Sequence, residues 1–304
     1  MRGREYEAPA TLSNRRKPRD MQTNLELRRV TQSLKVAEER LQTASVNYPS
    51  LNPAIRAVRK LALRVNRPAR VAILGETNAG KSCLANALIG DETMPTLATA
   101  NTRLPTLLRY ARTPTIEVVH LDGRKSPAAL SDNFSTKTIF RIEAGLPNES
   151  LRFLEIMDFP GSSDPLIQMD LASVALHGVD IAIWVTVATQ AWRETERLAW
   201  MRLPSRIRRR GILAVTHRDL LASEDDFRKV SKRLSPVAED HFGGHCLFVS
   251  QTKLQKPETS GLKQVLERLG HLRSEFEGER ARKAIAISRG IATRALHRLE
   301  TGAK

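Results

Sequence analysis

The chain has 304 residues, enough for one domain of ordinary size with attachments. Its 41% hydrophobic and 27% charged residues are those of a soluble globular protein, and two cysteines, Cys83 and Cys246, exclude a disulfide framework and favour a reduced cytoplasmic setting. Lys and Arg outnumber Asp and Glu by 49 to 33, and the net charge of +16 attracts polyanions, whether RNA or an anionic membrane. The N-terminus lacks the apolar segment of a signal peptide, and no stretch approaches the roughly 20 apolar residues of a spanning helix.

Residues 1–20 read as a disordered tail, with Arg15, Arg16, Lys17 and Arg19 around Pro18. Residues 21–66 read as N-terminal helices: Leu25, Leu27, Val30, Leu34, Ala37 and Leu41 recur at helical spacing, 47–53 interrupts them, and 53–65 resumes. A buried strand, R-V-A-I-L at 70–74, then opens a domain spanning 67–272. Strands are expected at 104–110, 116–121, 138–143, 151–157, 181–187, 212–215 and 247–249. Helices are expected at 81–89, 166–177, 195–202, 224–239 and 262–272. This alternation predicts an α/β fold, a mostly parallel sheet covered on both faces. The runs 138–143 and 151–157, joined by G-L-P-N-E-S, read as a hairpin that adds one antiparallel edge strand. Residues 273–304 read as a separate basic C-terminal helix.

The chemistry concentrates between the strands. Gly75-Glu-Thr-Asn-Ala-Gly-Lys-Ser82 is G-x-x-x-x-G-K-S, set directly after the 70–74 strand and before a helix, which is the context of a P-loop. Such a loop turns backbone N–H groups toward the phosphates of a nucleoside triphosphate, helped by the positive end of the helix. Its residues Gly75, Asn78, Ala79, Gly80, Lys81, Ser82 and Cys83 are therefore candidate nucleotide contacts, with Lys81 on the β- and γ-phosphates and Ser82 on Mg²⁺. The Cys83 side chain itself reads as small buried packing. Asp158-Phe-Pro-Gly161 follows the 151–157 strand, where Asp158 would anchor the metal and the Gly161 N–H would meet the γ-phosphate.

Thr216-His-Arg-Asp219 ends another apolar strand and resembles the N/T-K-x-D element of GTPases. A carboxylate at Asp219 suits the N1–H and amine of guanine and meets the wrong donor pattern in adenine. His217 stands where that element usually carries lysine, so reduced base affinity is expected. Ser250-Gln251-Thr252 occupies the place of the last, degenerate GTPase motif. A switch threonine that closes on Mg²⁺ is expected between the P-loop and Asp158; Thr102 is the first candidate, for catalysis and for metal, with Thr99 and Thr106 behind it.

These residues together resemble the Era-like and dynamin-like branch of GTPases. G-E-T-N-A-G-K-S-C-L-A-N-A-L-I-G is similar to the bacterial dynamin-like pattern G-E-F-N-A-G-K-S-x-L-I-N-A-L-L-G, and M-P-T…N-T-R-L-P-T-L-L-R-Y is similar to that family's switch region, pointing again to Thr102. The likeness covers roughly residues 70–255. It implies GTP and GDP as ligands with Mg²⁺ and a GTPase used as a conformational switch. Ser162 stands where small signalling GTPases carry a catalytic glutamine, and Thr77 where dynamin does, so the resemblance implies slow hydrolysis. Asn78 matches the asparagine that holds K⁺ in potassium-activated relatives. Segments 21–65 and 273–299 lie where dynamin-like proteins build a helical bundle, although a long stalk is not expected in this length. The resemblance leaves three readings open: a dynamin-like GTPase peripheral at the membrane and paired as a homodimer through its G domains, an Era-like RNA- or ribosome-associated GTPase, and a non-hydrolysing GTP-bound scaffold.

Two basic segments bear on the partner. Residues 201–210 carry five arginines, read either as a phosphate docking surface or as a solvated helix end. In 280–299 apolar and basic residues alternate as in an amphipathic helix, which either packs on a partner helix or lies on a membrane. Trp184, Trp192 and Trp200 read as core and helix packing.

Overall fold

The computed structural model describes residues 18–90, 104–129, 137–160, 176–250 and 257–301, and these form two units. In the first, Pro68–Gly270, continuous apolar runs become central strands because both faces of the sheet are covered. These runs are β1 (Ala69–Gly75), β6 (Leu154–Asp158), β7 (Ile181–Val187) and β8 (Gly211–Thr216), nearly every residue of which is buried. With β2 (Thr106–Tyr110), β3 (Thr115–His120), β4 (Lys125–Pro127), β5 (Ile139–Leu146) and β9 (Cys246–Phe248) they make one sheet in the order β4-β3-β5-β2-β6-β1-β7-β8-β9. The half from β6 to β9 is parallel throughout.

The expected α/β class holds, but the antiparallel part lies elsewhere than the sequence reading put it. β5 and β6 do not form a hairpin: β2 is inserted between them, parallel to β5 and antiparallel to β6. The G-L-P-N-E-S link cannot act as a tight turn because it is anchored inward. Leu151 is fully buried, Asn148 Oδ1 accepts the Ser150 N–H, and Asn148 Nδ2 donates to the Ile89 carbonyl at the end of α3 (Lys81–Ile89). Leu107 and Leu108 of β2, both buried, take the central place instead. The short β4, missed in sequence, carries Lys and Pro and pairs at the sheet edge. Of the expected helix 166–177, all but its last two residues lie outside the described residues; Leu176–Gly178 is a 3₁₀ turn.

One face of the sheet is covered by α4 (Glu194–Arg202), α5 (Ser205–Arg208) and α6 (Glu224–Phe242). Trp184 of β7 meets Trp200 of α4 edge-on at 6.0 Å, and Trp200 lies 4.4 Å from Phe242 of α6. The tryptophans thus pack the core, as expected. α7 (Pro257–Ser260) then leads into α8 (Leu262–Glu300). The sequence reading split α8 near residue 272; it is one helix, since no proline or capping residue interrupts it and its isolated glycines each cost only about 1 kcal/mol.

The second unit comprises α1 (Pro18–Ser45), α2 (Asn52–Asn66) and α8 from His271 onward. Val30 and Leu34 of α1, Val58, Leu61 and Val65 of α2, and Ala284, Ile291 and Ala295 of α8 form its core. Arg280 donates to the Arg67 carbonyl at 2.7 Å. Packing on partner helices therefore claims one face of α8, while Ile285, Leu296 and Leu299 are exposed.

Glu143 of β5 ties the outer strands of the first unit together. Its side chain is 3% exposed and accepts from Lys125 Nζ of β4 at 2.6 Å and from Arg141 Nε at 3.0 Å, with Arg109 Nε of β2 at 3.5 Å. Burial pushes its pKa up, but the hydrogen bonds from Lys125 and Arg141 outweigh burial and hold it below the usual carboxylate range. Glu143→Gln is expected to destabilise the protein by about 1–3 kcal/mol near neutral pH, because three cations lose their anion. A depressed folded-state pKa contributes stability above the unfolded value and loses it as pH falls through the folded one. Calorimetric melts should therefore show the difference between wild type and variant closing on acidification; a gap constant with pH would exclude the ion pairs as its cause.

Candidate functional site

β1 ends in the loop that opens α3, and its bend depends on Gly75. At φ +141° a Cβ there would lie 2.1 Å from the Val185 carbonyl oxygen of β7, so any side chain would force β1 and β7 apart. Asn78 (φ +61°) and Gly80 (φ +87°) turn the chain through the left-handed region, which asparagine tolerates better than most residues. The loop is tied from within by the Ala79 N–H on the Glu76 carbonyl at 3.3 Å. Thr216, fully buried at the end of β8, holds it from the side: its hydroxyl lies 2.7 Å from the Ala79 carbonyl oxygen and 3.1 Å from that of Thr186. A hydroxyl has one proton, so the nearer carbonyl is its acceptor.

Lys81, Ser82 and Asp158 meet beneath this loop. The parallel register sets Asp158 opposite Ile73 of β1, one strand away from the loop. Ser82 Oγ donates to Asp158 Oδ2 at 2.8 Å, and Lys81 Nζ donates to the Glu76 carbonyl at 2.6 Å. Lys81 and Asp158 are buried and Ser82 is half-buried; desolvation lowers the Lys81 pKa against the pull of Asp158 and Glu76. Burial likewise pushes the Asp158 carboxyl up to about 6, opposed by the Ser82 hydrogen bond and the Lys81 charge. Asp158 Oδ1 is buried without a hydrogen-bond partner among the described residues. A buried carboxylate oxygen left unpaired is costly and accounts best for itself as a ligand to a cation. Among the described residues no cluster of three or more His, Cys, Asp or Glu could hold a metal unaided. One carboxylate beside one hydroxyl instead suits a hard cation that keeps waters and shares substrate phosphates, as Mg²⁺ does.

Thr106, one of the two switch threonines placed behind Thr102, is buried in β2 as the Cα partner of Asp158. Thr99, Thr102, Gly161 and Ser162 lie outside the described residues, as do Gln251 and Thr252. At the ends of β8 and β9 the two remaining elements meet: Ser250 Oγ donates to Asp219 Oδ1 at 3.1 Å, and the Arg218 N–H to the Val249 carbonyl at 3.2 Å. His217 sits at φ +57°, its Nδ1 3.1 Å from the Thr216 hydroxyl. Cys83, expected as small buried packing, is exposed, because it lies on the outer side of the first turn of α3 while Leu84 and Ala85 face the core. Cys246 is half-buried, and burial pushes its thiol up to about 12.

Sequence reasoning missed the contacts that hold Glu76 of the loop. Glu76 accepts from Arg193 Nη1 at 3.0 Å and from Thr195 Oγ1 at 3.3 Å, both at the start of α4. Behind them, buried Glu196 accepts from Trp184 Nε1, Thr186 Oγ1 and the Arg193 N–H, at 2.9 to 3.0 Å. No motif marks this set; the weak signal was a glutamate in the first turn of a predicted helix, where it can cap backbone N–H groups.

The arginine-rich segment 201–210 is spent largely on the fold. Arg206 donates to the Val179 and Leu176 carbonyls at 2.7 and 2.8 Å, Arg208 to Leu203, and Arg210 to Arg206. This arrangement speaks against an open docking surface made of all five.

Comparison with known proteins agrees with the fold and the motifs. The profile of the Dynamin family matches residues 71–219, from β1 to Asp219. Isoniazid-induced protein IniC of Mycobacterium tuberculosis is 34% identical over 113 residues, 34% of this chain and 23% of that protein. Dynamin-like protein 2 of Campylobacter jejuni is 24% identical over 179 residues, 55% of this chain and 29% of that protein. A solved structure described as an oligomerised bacterial dynamin pair, for the long-range sensing and tethering of membranes, matches with a TM-score of 0.62 at 18% identity, over 96% of this chain and 58% of the other. The matches thus take in less than a third of the length of these two curated relatives.

Proposed function

We propose that the chain carries a dynamin-like G domain, binds GTP and GDP with Mg²⁺ and hydrolyses GTP slowly as a conformational switch. The convergence of Lys81, Ser82 and Asp158 beneath the glycine-bent loop is the observation that supports this most. Lys81 and the first-turn N–H groups of α3 would hold the β- and γ-phosphates. Ser82 and Asp158 would hold Mg²⁺, with Thr102 added from the switch segment and Gly161 meeting the γ-phosphate. Bound Mg²⁺ supplies charge neutralisation on the phosphate oxygens. Asp219, steadied by Ser250, would accept the two hydrogen bonds of guanine, with His217 and Gln251 beside the base. Thr77 and Ser162 supply no amide to orient water, which is why turnover should be slow. Asn78 would hold K⁺ beside the phosphates.

We assign the division of the chain as a tail before α1, which begins at Pro18 and not at the expected 21, helices up to 66, the G domain over 67–272 and, from 273 onward, the remainder of the continuous helix α8. A peripheral membrane role is favoured over RNA, because Ile285, Leu296 and Leu299 stand exposed among Arg282, Arg289 and Arg294 on α8. No described helix is long and apolar enough to cross a membrane. Pairing of G domains between two copies is proposed with it, since the matched bacterial dynamin pair is oligomerised.

Titration calorimetry tests the site. Lys81→Ala is expected to abolish nucleotide binding, and near-normal GTP affinity would refute the phosphate assignment. In the same assay Asp219→Asn should move preference from GTP toward xanthosine triphosphate; unchanged selectivity would remove Asp219 from base reading. Turnover should be faster in potassium than in sodium buffer, and equal rates would remove the Asn78 cation site. The protein should float with anionic liposomes and give no RNA gel shift; the opposite pair of results would reverse the choice of partner.

A further inference from the structure

A glutamate in a loop that holds a polyanion is a local conflict. Glu76 follows Gly75 directly, inside the loop that carries Lys81. Left alone, the charge would repel a triphosphate and compete with it for the Lys81 ammonium, which already sits 2.6 Å from the Glu76 carbonyl oxygen.

The carboxylate is not left alone. Arg193 Nη1 lies 3.0 Å from Glu76 Oε2, and Thr195 Oγ1 lies 3.3 Å from Oε1. The Arg193 side chain is 47% exposed, an unpromising setting for a strong ion pair, yet the backbone that carries it is fixed from behind. Trp192 adopts φ +58°, a conformation a bulky residue keeps only when its surroundings impose it. Its ring is held 6.1 Å from Trp184 and 5.4 Å from Phe242. The Arg193 N–H then donates to Glu196, itself buried and bonded to Trp184 and Thr186. Gln190 receives the other guanidinium nitrogen. The core thus delivers a cation to the rim of the loop.

We propose that Arg193, assisted by Thr195, is a positioning residue for nucleotide binding: it neutralises Glu76 and draws the carboxylate onto the start of α4, leaving Lys81 for phosphate. The inference rests on the reading of this loop as a guanine-nucleotide site. It assigns Arg193 no contact with the nucleotide; its effect passes through Glu76, so removing the glutamate must remove the need for the arginine.

That dependence is the test. Affinities for GDP and GTP with Mg²⁺ are measured by calorimetry for wild type, Arg193→Ala, Arg193→Lys, Glu76→Gln and the double variant Glu76→Gln/Arg193→Ala, with a thermal melt of each. Arg193→Ala should weaken binding on the order of fivefold, the effect of one uncompensated charge near the phosphates in a partly solvated site. Arg193→Lys should restore most of it, and the double variant should bind as Glu76→Gln alone does. Melting temperatures should stay close to wild type, because the cap on Glu196 uses the Arg193 backbone. Equal losses in Arg193→Ala and in the double variant, or no loss in either, would overturn the proposal. A wild-type protein that binds no guanine nucleotide would instead sink the site reading, and this inference with it.

Discussion

The close approach of β1 to β7 at Gly75 is the constraint on which the site depends. Because a hydrogen occupies the space where a Cβ would strike the Val185 carbonyl, β1 can run to its end in full register with β7 and release the chain directly into a left-handed turn. Thr216 on the next strand but one then fastens the far side of that turn through the Ala79 carbonyl. The loop is thereby held by three parallel strands of the sheet rather than by its own few hydrogen bonds. This is also why the candidate side chains gather at the carboxyl ends of β1, β6, β8 and β9, the edge at which open parallel sheets hold their ligands.

Burial moves the pKa values of the two groups beneath the loop in opposite directions. Desolvation disfavours the ammonium of Lys81 and the carboxylate of Asp158 alike, and each partly relieves the other. The sheet supplies the rigidity that keeps both in place at this cost. Functional groups held at a sacrifice of local stability are a common mark of sites that have a ligand to compensate them.

Much of this was legible in the residues themselves. The strands buried on both faces announced themselves as unbroken apolar runs, and the G-x-x-x-x-G-K-S spacing between a strand and a helix located the loop and α3 to the residue. What periodicity could not show was pairing. The segments 138–143 and 151–157 have the alternation and the short polar link of a hairpin, and nothing local reveals that Leu151 and Asn148 anchor the link inward or that β2 takes the place between them. Cys83 was misread because one turn of helix does not show which side meets the core. The contacts of Glu76 were invisible for a related reason: its partners are more than 110 residues away in sequence, brought near by the crossover from β7 to α4.

The arginines of 201–210 change the meaning of the formal charge. Arg206 gives two donors, and Arg208 and Arg210 one each, to main-chain oxygens. Such groups still contribute to the long-range potential that draws anions in, a field that salt attenuates over about 8–10 Å. They are poorly placed to grip an arriving phosphate in the two-pronged manner of a free guanidinium, because doing so would strand the carbonyls they serve. An excess of +16 therefore overstates the number of cations at liberty to chelate: on this stretch of surface, attraction at a distance is separated from adhesion on contact.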